Sequence, residues 1–416
     1  LEAPAGLARL AAPGTPWRPD SEQQDKHLPT PNPDHGKFAA LDALRGFASL
    51  IVFVGHFCDG LAPGISVWTA GTPFFAALNG SASVILFFVL SGFVLIIRPI
   101  QIRRLAPLGV LLLKRWPRLA GPTTLAGVFL GVAALLGAFP SFKVFAHRLP
   151  PHSHHPPYLF WGEWQHNDHI VEVLREAAFG VFINSSADHN VVLWTMHFEL
   201  LGSVLAAGLA ATILLPLPRM VRATLFLGTW IGAAFVSPWL AVFPVGVCGA
   251  IAHRAFGGRL RIGGPLAALM AAGGALLFSW DPRTSLGIWA WTAWLDYGAR
   301  LWAWLALQAL AACLFMAVFL YNPTVRAWCS GRLGKLAGRY SFPLYLVHVP
   351  VLCSVGAWLY LRHLPDATTV WSNITAFGLD LGAALLVATP LMFFDQWWLR
   401  QLHRLDIVVR FRTSKH

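Results

Sequence analysis

The chain has 416 residues, of which 56% are hydrophobic and only 12% charged. Soluble domains carry about 25% charged residues, so this composition excludes a water-soluble globule. The net charge of +12 is not one basic patch: Lys and Arg recur in short clusters between apolar stretches, which points away from nucleic acid and toward membrane topology.

Residues 1–37 are polar, contain seven prolines and show no signal peptide, and they read as a disordered N-terminal tail. Apolar stretches follow at about 39–59, 80–97, 120–139, 193–214, 223–241, 243–256, 264–280, 301–320, 341–361 and 373–394. They predict an all-α fold, a polytopic transmembrane helical bundle of about ten spans over residues 38–395, followed by a basic C-terminal tail at 396–416. An even number of spans puts both termini on one side. That side reads as cytoplasmic, because it then holds 24 of the 31 Lys and Arg. Six fall outside (Lys143, Arg148, Arg175, Arg283, Arg300, Arg362), and Arg45 lies within the first span. The five cysteines have no paired spacing and read as buried free thiols.

The first span, FAALDALRGFASLIVFVGHF, carries Arg45 and His56. Eleven residues is within about 20° of three helical turns, so the two share a face, about 16 Å apart along the axis. Ionisable groups at such depth are functional-site candidates by default. The second span ends FFVLSGFVLIIR and contributes Ser91 and Gly92. The connection after it, RPIQIRRLAPLGVLLLKRWPRLAGP, brings Lys114, Arg115 and Arg118 together at helical spacing. Guanidinium groups grip phosphate oxygens, and anionic lipid headgroups are the competing use.

The longest connection, 140–192, contains His147, His152, His154, His155, His166, His169 and His189 among prolines. Their spacing is irregular, so a solvated loop is expected there and no metal. The fourth span begins LWTMHFELLGS, placing Glu199 at about the depth expected for His56. A carboxylate would orient the imidazole and raise its basicity. The ninth begins YSFPLYLVHVPV, with Tyr345 and His348. Depths read from these starts group Arg45, Ser91 and His348 below, with His56 and Glu199 above.

The ordered set of segments resembles the acyltransferase-3 family of integral membrane O-acyltransferases, which modify sugars and polysaccharides. LDALRGFASLIVFVGH is similar to that family's Arg–ten residues–His signature. FFVLSGF, KRWPRLAGP, LWTMHFE and SFPLYLVH resemble its later motifs in order. Leu200 stands where many members have a second Glu, and Phe342 replaces an aromatic of another kind. The resemblance implies a cytoplasmic acyl-CoA donor, commonly acetyl-CoA, and a carbohydrate acceptor. It carries the essential catalytic residue onto His56, the motif's arginine onto Arg45 and the basic stretch onto Arg115 and Arg118; the depth reading adds Glu199 to orient the catalytic imidazole, and Lys114, Ser91, His348 and Tyr345 to the donor's path. His56 would act as general base or as nucleophile. It further implies a multi-pass protein of the bacterial inner membrane, set in the lipid bilayer beside partner proteins of glycan synthesis. A carrier for a lipid-linked sugar or metabolite and a structural subunit remain the competing classes.

Overall fold

A computed structural model describes residues 35–139, 170–257, 259–362 and 370–413, with side chains described except at 35–37, 63 and 405–413. The tail at 1–34 and all the loop histidines except His189 lie outside the described residues. Helices and no strands make up the rest.

Local sequence explains most boundaries. Helix α1 (His35–Leu61) stops before Pro63, which opens a short helix, Pro63–Thr69. Helix α2 (Gly80–Ile102) is capped by Asn79, whose side-chain oxygen accepts from the Ala82 amide at 3.0 Å, and closes on Arg103 in the left-handed region (φ 54°). Helix α3 (Ala106–Leu135) is a single 30-residue rod despite Pro117 and Pro122. A short helix, Ile170–Arg175, continues through a wide turn at Glu176–Gly180. There follow α4 (Thr195–Leu214), α5 (Arg219–Val236), α6 (Phe243–Phe256), α7 (Gly264–Phe278), α8 (Tyr297–Tyr321), α9 (Arg332–Val351) and α10 (Val370–Thr413).

All ten expected positions are helical, but among the described residues eight segments are long and apolar enough to cross a membrane. The two that fall short are α5, which starts on Arg219 and Arg222, and α7, whose 15 residues span only about 22 Å. Helix α10 also runs to Thr413, so residues 396–413 of the basic C-terminal stretch are helical and continuous with the last span.

Helix α2 forms the centre, packed against α4, α6 and α8. Its Gly92 lies against the Phe243 backbone, and Gly246 of α6 lies against Val89 and Phe93, so the two helices approach backbone to backbone. Helix α1 is held to α9 in the same manner, with Gly46 on the Ala337 backbone and Gly338 on Asp42. Helix α5, with Ala233 its sole buried residue among those described, sits at the edge.

Candidate functional site

The close approach of α1 and α9 sets the site. Arg45 and His56 both turn toward α9, as their spacing predicts: Arg45 shares a cavity with Ser341, Phe342 and Tyr345, and His56 meets His348. Nδ1 of His56 lies 2.7 Å from Nε2 of His348, with the rings 9° from parallel. Nδ1 of His348 lies 2.7 Å from the Tyr345 carbonyl oxygen and 3.2 Å from that of Leu344. His348 is fully enclosed (0% exposed), whereas His56 is partly exposed.

One turn toward Arg45, Tyr345 donates its hydroxyl to the Val192 carbonyl at 2.8 Å and lies 2.8 Å from the Thr195 hydroxyl. The ring of Pro350 removes the amide that would pair with the Leu346 carbonyl. Asn190 supplies the missing donor at 2.9 Å. These bonds draw the start of α4 down into the bundle, level with Tyr345.

Below Tyr345 opens a cavity of about 260 Å³, whose charged lining is Arg45, Arg115, Arg118 and Glu199, with Ser91, Thr195 and Ser341 among aromatic and aliphatic side chains. Ser91 donates to Glu199 at 2.9 and 3.1 Å, and Arg115 Nη2 donates to the same carboxylate at 2.5 Å. Arg115 Nε donates to the Ser203 hydroxyl at 2.6 Å. Arg118 forms a two-pronged pair with Asp395 of α10 at 2.6 and 3.2 Å and lies over the Phe342 ring. Arg45 has a looser partner, Asp42, at 3.3 Å. Lys114 is partly exposed and is not among the cavity's lining residues.

Three expectations about position change. His348 does not sit beside Arg45 and Ser91 but at His56, because α9 starts at Arg332 rather than near 341. That places His348 about 24 Å along the helix. Glu199 does not reach His56. With α4 recessed to Tyr345, the carboxylate lies about 10 Å further toward the Arg45 end and is taken by Arg115 and Ser91. Arg115 and Arg118 do not form a free basic surface, since α3 carries them into the bundle, each onto its own carboxylate.

Asp395 and Ser203 were not picked out from sequence. The acid in FFDQWW near the end of the last span was the one visible signal. Among the described residues no group of three or more His, Cys, Asp or Glu could hold a metal. His189 lies 2.6 Å from Glu176.

The model of the acyltransferase-3 family, described as an acyltransferase domain, matches residues 38–393. No curated protein and no solved structure matches the chain.

Proposed function

Because the chain belongs to the acyltransferase-3 family of membrane O-acyltransferases, we propose that it moves an acyl group, acetyl in the first instance, from a cytoplasmic acyl-CoA to a hydroxyl of a glycan or other carbohydrate. The observation that carries this reading is the partly exposed His56, backed by a second imidazole, on the same seam as a cavity bearing three arginines.

In this reading the donor enters from the Arg45 end. The cavity, about 260 Å³, is smaller than the ~300–1,000 Å³ of sites that enclose drug-sized ligands, so it suits the slender pantetheine arm with the nucleotide outside its mouth. Arg115 and Arg118 are committed to carboxylates, and a phosphate takes either only by displacing one. Arg45 is the least committed, because its Asp42 partner is 59% exposed at the side chain. We therefore assign the donor's anionic part to Arg45. Ser91, Glu199 and Arg115 shape the wall, and Tyr345 lines the cavity one helical turn from His348.

At His56 the acceptor hydroxyl gives up its proton as its oxygen attacks the thioester carbonyl. The carbon–sulfur bond breaks, the thiolate leaves with the electron pair, and the proton passes from His56 to sulfur. No net proton is consumed.

The cytoplasmic placement of the donor rests on charge. With ten crossings the two sides hold 24 and six Lys and Arg. With eight, Arg254, Arg259 and Arg261 change sides and the count becomes 21 and nine, with the same sign. A bacterial inner membrane and neighbouring glycan-synthesis proteins belong to the same proposal.

The test is the full chain in liposomes with labelled acetyl-CoA and bacterial envelope glycans. Ester label on a glycan is expected, and His56→Ala should abolish it while the protein stays folded. Glycan accumulation without release of CoA thiol would mark a carrier and overturn the proposal.

A further inference from the structure

We propose that His348 is a positioning residue that fixes the tautomer of His56, so that Nε2 of His56 is the atom that takes the acceptor's proton. This deepens the acyl-transfer reading and rests on it for its chemical meaning, though not for its test.

The argument follows hydrogen atoms along one chain of contacts. Carbonyl oxygens only accept, so Nδ1 of His348, against the carbonyls of Tyr345 and Leu344, must carry a hydrogen. In the neutral ring its Nε2 then offers only a lone pair. The 2.7 Å contact to Nδ1 of His56 therefore needs the hydrogen on His56. With Nδ1 of His56 occupied, Nε2 is left with the free lone pair.

Burial assigns the roles in the same direction. His348 is fully enclosed and offers no surface, while His56 is partly exposed. The arrangement copies the task that a carboxylate performs in a Ser–His–Asp site, orienting the imidazole from behind. Here the orienting group is a neutral ring, and Glu199, the carboxylate expected in that place, is held elsewhere by Arg115 and Ser91. During transfer the acceptor's proton goes to Nε2 of His56 and from there to the departing sulfur, and His348 keeps its own hydrogen throughout.

Two features keep the pair in place. Glycines at 46 and 338 let α1 and α9 approach backbone to backbone. Asn190 and Thr195 tie the α4 entrance to Leu346 and Tyr345, the segment whose carbonyl anchors His348.

The experiment is nitrogen NMR of the full chain labelled with ¹⁵N-histidine in micelles, with the His56 signals identified by their loss in His56→Ala. The expected result is an unprotonated Nε2 and a protonated Nδ1 on His56. In His348→Ala the two tautomers should mix, and in His348→Gln, whose side-chain oxygen can accept the same hydrogen, the native tautomer should return. A protonated Nε2 in the parent, or a tautomer indifferent to His348→Ala, overturns the proposal.

Neither donor nor acceptor enters this measurement, so the tautomer assignment and the acyl-transfer reading fail separately. In the liposome assay His348→Ala should lower kcat about 100-fold with the KM for acetyl-CoA unchanged, and His348→Gln should recover much of it. A change in KM alone would place His348 in donor binding and overturn the assignment.

Discussion

Two polar clusters are buried in this bundle, and they differ in what their partners are. Around the end of α7, Asn79 donates to the carbonyls of Phe278 and Trp280 at 2.8 and 2.9 Å, Trp304 donates to Trp280 at 2.9 Å, and Gln308 donates to Leu277 at 2.9 Å. All these donors are neutral, and they face carbonyls of the last turn of α7 and of Trp280 just beyond it, where the helical ladder runs out. They finish a helix too short to reach water on its own.

The second cluster joins Ser91, Arg115, Glu199 and Ser203, with Arg118 on Asp395 beside it. Four of these groups are charged, the set comes from four helices, and Ser91, Arg115, Arg118 and Glu199 border open space. Completing a helix end needs no charge. Opposed charges around a cavity cost desolvation that stability alone does not repay, which is why the proposed function puts the donor there.

Substitutions can break this contrast. The largest effect is expected for Glu199→Ala, which strands the Arg115 guanidinium inside the bundle. It should lose about 3–5 kcal/mol in thermal unfolding, with Glu199→Gln recovering part. A parental melting profile in Glu199→Ala would show that charge does not hold the cluster. Next, Arg118→Ala and Asp395→Ala should be less than additive, with a coupling of about 2 kcal/mol in a double-mutant cycle. Strict additivity would mean that the pair seen between α3 and α10 is not energetically real.

On the neutral side, Asn79→Ala removes a cap and two carbonyl partners and should cost about 2 kcal/mol, leaving acetyl transfer per folded molecule unchanged. A large loss of turnover at equal folded fraction would erase the distinction between the two clusters. The smallest effect is expected for Trp304→Phe. It forfeits one hydrogen bond to Trp280 and about 1 kcal/mol, again with parental kinetics.

The neutral cluster was invisible in the sequence, where Asn79 and Gln308 are isolated amides with nothing to indicate which carbonyls they would meet. The charged one was half legible. Arg45, His56, Ser91 and Glu199 stand out because ionisable or polar groups in apolar helices are rare, and Arg115 because it clusters with Lys114 and Arg118 at helical spacing. Their pairing does not. Glu199 was expected beside His56, and the structure gives it to Arg115 and gives His56 to His348 instead.

What the sequence by itself determined is local: helical segments, the membrane class, and the common face of Arg45 and His56, all consequences of hydropathy and the 3.6-residue period. What only the tertiary structure decided is depth. A helix's depth depends on where it starts, and contacts from distant parts of the chain fix that start. Asn190 answers the carbonyl freed by Pro350, and Thr195 answers Tyr345. Those two bonds, between residues about 150 apart in sequence, lower α4 by roughly two turns and so choose which acid meets which base.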